Sequence, residues 1–135
     1  MDPLQSLTRD ECLELLAQCS LGRVAFTERA LPAIRPVNYA LVGHQLVLST
    51  QAEGLGRRLD GQVVAFEVDD IDAAGGSGRS VVVMGTARLL RSPGELMRLA
   101  ADPLVSMASG RHDARICIVP GEMTGRRIQP TVDAA

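Results

Sequence analysis

The chain has 135 residues, enough for one domain, with fourteen basic residues against sixteen acidic and a net charge of −2, which lacks the electropositive excess of a nucleic-acid-binding domain. Every basic residue is arginine, which excludes both a lysine Schiff base and a Walker lysine, so any phosphate must be held by guanidinium groups, hydroxyls or backbone N–H groups. The hydrophobic share is 46%, yet the aromatic residues are Phe26, Phe66 and Tyr39 alone, so the core has to be aliphatic.

The N-terminal residues show no basic region followed by an apolar stretch and a cleavage site, and no run approaches the length of a membrane span. A soluble, cytoplasmic protein without a membrane partner is expected. Thr8-Arg9-Asp10-Glu11 is a T-x-x-E capping box and predicts a helix over about 9–18, with Cys12, Leu13, Leu16 and Ala17 on its packing face. Ser20-Leu21-Gly22 ends it, and the period changes from helical to alternating at Val24 and Phe26.

Strands are predicted at about 22–28, 31–42, 45–50, 62–69, 79–91 and 114–120, with a short one near 126–129. They are separated by Val42-Gly43-His44, Gly61, the loop from Ala73 to Gly78, and Pro120-Gly121. Ser92-Pro93-Gly94-Glu95 opens a second helix running to about Ala101, with Pro93 in its first position. Many short strands with few helices predict a mainly β, antiparallel barrel or sandwich, forming a single domain over the whole chain.

Within the second strand, Ala33, Arg35, Val37, Tyr39 and Leu41 share a side, so Arg35 points where its neighbours want a core. A buried arginine needs a partner. That partner is either a carboxylate, Glu67 of a neighbouring strand, or a ligand anion. Pro32 and Pro36 both lack an N–H on the same lateral side, which marks an edge, a bulge or an opening there. After the third strand, Ser49-Thr50 leads into a glycine-containing turn and then Arg57-Arg58. Glycines let backbone N–H groups approach an anion and guanidinium forks grip phosphate; a solvated turn whose arginines pair with nearby acids is the alternative.

Few other residues carry a chemical pattern. Cys12, Cys19 and Cys117 match no C-x-x-C zinc or redox spacing and read as reduced structural thiols, and His44 and His112 are too sparse a set for a metal. No G-x-S-x-G elbow is present. Asp69, Asp70 and Asp72 read as a solvated strand end, lacking the register of a calcium loop.

Taken together, "IRPVNYAL" (residues 34–41), "LVLST" (46–50), "GRR" (56–58), "GRSVVVMGTARLL" (78–90) and "RRIQP" (126–130) resemble, in order and spacing, the motifs of the pyridoxamine 5′-phosphate oxidase-like, FMN-binding split-barrel family. The resemblance covers about residues 8–130. It implies an antiparallel split β-barrel with two or three short helices, and an FMN cofactor lying along Arg35, Pro36, Val37 and Asn38. It further implies that Thr50, Arg57 and Arg58 hold the phosphate with Ser49 nearby. Ser80 stands where the family often has a glutamine that reaches the other subunit's flavin, in a homodimer. Arg58 replaces the family's phosphate lysine and keeps its charge, whereas Ser80 is shorter than glutamine. No counterpart of the oxidase's later segment for its vitamer substrate is found, so the expected activity is an FMN-dependent oxidoreductase acting on another small-molecule substrate. A related branch uses the deazaflavin F420, whose acidic tail also suits arginines, and a flavin carrier or sensor without turnover is a further alternative. The cofactor performs the electron chemistry in such proteins, and no catalytic side chain is assigned.

Overall fold

The computed structural model describes residues 5–100 and 114–130; Ala101 and His112 lie outside them. Thr8 caps helix α1 (Arg9–Gln18), its Oγ1 accepting from Glu11 N at 3.2 Å while Glu11 Oε1 accepts from Thr8 N at 3.0 Å. The stripe that packs is Cys12, Leu15 and Leu16, with Leu13 partly buried. Ala17, expected on that stripe, is exposed: the longer Leu15 side chain buries more apolar area at the i, i+3, i+4 positions.

Seven strands follow among the described residues: β1 (Leu21–Glu28), β2 (Leu31–Val42), β3 (Gln45–Thr50), β4 (Val63–Asp72), β5 (Ser77–Leu89), β6 (Ala114–Ile118) and β7 (Glu122–Ile128). All pair antiparallel in the order β4-β1-β2-β3-β6-β5-β7, and an added β4–β5 ladder closes the sheet into a ring. β5 accepts β6 near one end and β7 along the rest of the same edge, which splits the barrel. Two more α-helices lie among the described residues: the single turn α2 (Arg57–Leu59) and α3 (Pro93–Ala100). β4 runs past its predicted end at 69 to Asp72, and β5 is shifted two residues earlier than predicted, to Ser77–Leu89, because the acidic run pairs with the start of β5, Asp69 with Ser80 through Asp72 with Ser77. β7 likewise begins at Glu122, its polar sequence masking a strand that β5 recruits.

The core is aliphatic around one aromatic pair, Tyr39 and Phe66, packed edge to face at 4.9 Å and 73°. Tyr39 OH, buried, donates to Leu16 O at 2.6 Å and ties α1 to β2. Gly125 lets α1 sit close on β7: a Cβ there would lie 2.5 Å from Cys12 Sγ. The β1–β2 turn is tight, with Arg29 and Ala30 both left-handed at φ 52° and 64°, as a two-residue hairpin with a right-handed twist requires.

Register explains the opening that the prolines mark. Tyr39 N donates to Ser20 O on the β1 side, so the odd-numbered residues of β2 turn their N–H groups that way and Pro32 and Pro36 face the other edge. The β2–β3 ladder pairs residues 38–42 of β2 only. Beyond Asn38, the proline-bearing edge of β2 has no strand beside it among the described residues.

Candidate functional site

A cavity of about 400 Å³ sits in this seam, lined by Leu21 of β1, Arg35, Pro36, Val37 and Asn38 of β2, Ser49 and Thr50 of β3, and Gln51, Gly54, Leu55 and Arg58 of the segment that follows. That segment is built to leave room: the Gln51 carbonyl accepts from Gly54 N at 3.3 Å and Gly56 N at 3.1 Å, and the buried Leu59 anchors the turn beneath Arg58. Asp60 fastens its far end, accepting from Leu89 N at 2.8 Å and pairing with Arg91 at 3.0 Å. The Leu89 N–H and then Arg91 hold the Asp60 carboxyl below its usual range.

Arg35 corrects one expectation. It shares a register row with buried Val24, yet its side chain is exposed and lines the cavity. The strand that would have covered it stops at Thr50. No carboxylate among the described residues pairs with it; Glu67 belongs instead to Arg23, at 3.2 Å, with Asp69 on the same guanidinium at 3.1 Å. Burial, and then the neighbouring Asp69, push the Glu67 carboxyl up to about 7.

Ser49 is the most informative lining residue. It is 1% exposed, and its Oγ has no hydrogen-bond partner among the described residues. A buried hydroxyl left unpaired costs about 1–3 kcal/mol, and its place in the cavity wall makes it a donor for whatever enters. With Thr50, Arg35 and Arg58 it forms a set of hydroxyl and guanidinium donors, and no acidic side chain lines the cavity among the described residues. Arg58 Nη1 also lies 2.8 Å from Glu28 Oε1.

Two further residues of the sequence reading lie outside this cavity, and one of them, Ser80, is expected at the other subunit's flavin. Arg57 is exposed on α2 and does not line the cavity. Ser80 lies on the outward face of β5, paired with Asp69 and Arg126. Conversely, Leu21 and the Glu28 partner of Arg58 escaped the sequence reading, since no spacing rule links β1 to the turn after β3, and Gln51 and Leu55 carry no pattern of their own. A second cavity of about 330 Å³, lined by Cys19, Ser20, Gly22, Arg23 and Asp69, shares Leu21 and Pro36 with the first. His44 is exposed and apart from both. No described helix is long and apolar enough to cross a membrane.

The fold and the cavity together define a split β-barrel with a donor-lined cleft at the open seam of β2. A protein-family model for pyridoxamine 5′-phosphate oxidase matches residues 8–127; the chain belongs to this family. It is 40% identical to the uncharacterised protein Rv0080 of Mycobacterium tuberculosis over 130 residues, which is 90% of this chain and 84% of that one. Among solved structures, an FAD-binding protein from Mycobacterium smegmatis is 30% identical and superposes with a TM-score of 0.76, over 93% of this chain and 99% of that one. An FAD-binding protein from Mesorhizobium loti, 23% identical over 91% of this chain and 96% of that one, has a TM-score of 0.73 and shares the fold.

Proposed function

We propose that this chain binds a flavin nucleotide, FMN, in the seam cleft and acts as an FMN-dependent oxidoreductase on a small molecule. The observation that carries this reading is the buried Ser49 Oγ, without a hydrogen-bond partner among the described residues, in a wall that also presents Arg35, Thr50 and Arg58. Arg35, Pro36, Val37 and Asn38 run along the ring and ribityl chain, and Ser49, Thr50 and Arg58 receive the phosphate; Arg57 joins them only by swinging in from the surface. When bound, the flavin supplies hydride and electron transfer. The protein's part is to orient the ring against β2 and to neutralise the anionic end. The FAD-binding relative from M. smegmatis supports a second reading, FAD in the same cleft.

The outward face fits a homodimer. Ile34, Ala25, Ala65 and Met84 fall in one row across β2, β1, β4 and β5, with Ile34 66% and Met84 43% exposed, an apolar stripe that isologous pairing would cover. Ser80 lies on the same face of β5 as Met84 and would meet the second copy. Light scattering tests this: a flavin-loaded monomer at working concentration counts against it.

Titration with FMN and riboflavin tests the cofactor. Each charge-assisted hydrogen bond contributes about 1.5–3 kcal/mol, so Arg58→Ala should weaken FMN roughly tenfold to hundredfold and leave riboflavin nearly unchanged, whereas Arg35→Ala should weaken both. A protein that takes up neither FMN nor FAD overturns the reading. Turnover with NADPH or reduced deazaflavin and a panel of acceptors separates an oxidoreductase from a carrier or sensor.

A further inference from the structure

Arg58 serves two masters: it lines the cleft, and its guanidinium is already engaged by Glu28 at 2.8 Å. This engagement is imposed by the surrounding backbone. Gln62 uses its whole side-chain amide to lock the two partners' segments together, Nε2 donating to Arg58 O at 2.7 Å and to Thr27 O at 3.0 Å, while Oε1 accepts from Thr27 N at 3.2 Å. On its other side, Glu28 abuts the left-handed Arg29–Ala30 turn. The carboxylate is therefore delivered to Arg58 from a pinned strand end. No acid lines the cleft itself among the described residues, so Glu28 is the acid that an incoming anion meets through Arg58.

We infer that Glu28 is a specificity-determining residue that competes with the ligand's phosphoryl group for Arg58. An anion entering the cleft must share or displace the carboxylate, and a ligand with no phosphoryl group pays nothing for it. Glu28 thus sets how much affinity the phosphate adds over the rest of the ligand. This rests on the flavin reading for the identity of the ligand, though the competition itself concerns any phosphoryl group.

The test compares the full-length protein with Glu28→Gln, Arg58→Ala and the double variant, using FMN, riboflavin and inorganic pyrophosphate as probes, with binding read by flavin fluorescence and by thermal stabilisation. An exposed ion pair is worth up to about 1 kcal/mol, so Glu28→Gln should tighten FMN and pyrophosphate about fivefold and leave riboflavin unchanged. In the Arg58→Ala background the gain should fall below about twofold. Weaker or unchanged FMN and pyrophosphate binding in a folded Glu28→Gln protein overturns the inference, because Glu28 would then be aiming Arg58 or idle. A full gain that survives without Arg58 overturns it too, as through-space repulsion. If no flavin binds but pyrophosphate tightens as expected, the competition stands and the flavin reading falls. If flavin binds to the parent protein and Glu28→Gln does not tighten the phosphorylated probes, the reverse holds; if neither behaviour is seen, both fall.

Discussion

Along β2, residues 38–42 pair with β3, whereas residues 31–37 have β1 on one side and the seam on the other. The inward alternation is the same in both stretches. In the first it buries Tyr39 against Phe66; in the second it sends Arg35 into the cleft. The chemistry of a side chain's surroundings is thus set less by its own strand than by how far the neighbouring strand continues. Where β3 ends, inward Arg35 becomes cleft lining, while inward Val37 next to it still belongs to the core.

The largest break in this comparison comes from the packed side. Phe66→Ala, at a position with no exposure, should cost about 3–5 kcal/mol in chemical denaturation, since the Tyr39 contact and the closed wall collapse together. Gly125→Ala should follow at about 1–3 kcal/mol, because the added methyl meets Cys12 Sγ and Leu7 in a packed contact with little room to yield.

A third test asks whether the paired wall also constrains charge on its outer face. Glu67 is raised to about 7 in the folded protein from an ordinary value near 4.5, so the fold holds its proton more tightly than the unfolded chain does. The stabilisation is fully present below about pH 4.5 and is lost as pH rises through about 7. Thermal melting should therefore fall between pH 5 and pH 8, and Glu67→Gln should flatten that slope; an unchanged slope would place the titration elsewhere.

Smaller effects belong to the open half. Ala30→Gly, which relieves a left-handed alanine at φ 64°, should stabilise by about 0.5–1 kcal/mol. Arg35→Ala should change stability by less than about 0.5 kcal/mol, although it reshapes the cleft. A loss of several kcal/mol there would mean that Arg35 is core after all, and the distinction between the two halves of β2 would go.

The order of elements was legible because local signals were strong: the Thr8–Glu11 box, the alternation from Val24, and the turn residues at Gly43 and Gly61. The seam was legible too, through Pro32 and Pro36, whose missing N–H groups mark an edge whatever lies beyond it. The exposure of Arg35 was not, since alternation gives a face and says nothing of where β3 stops. Nor was the partner of Arg58, which depends on Gln62 pinning β1 to the turn after β3, a tertiary contact with no local trace. The resemblance of five short motifs to one family supplied the closed ring that periodicity left open between barrel and sandwich.

The three cysteines differ sharply in access, and this gives the molecule a built-in reporter. Cys12 and Cys117 are buried, while Cys19, just past α1, is partly exposed and lines the smaller cavity beside the cleft. A thiol-directed fluorophore should therefore attach at Cys19 ahead of the others, slowly at neutral pH because burial raises that thiol's pKa. The unmodified sequence thus carries its own attachment point for an optical probe, one wall away from Leu21 and Pro36, where occupancy of the cleft could be read as a change in emission.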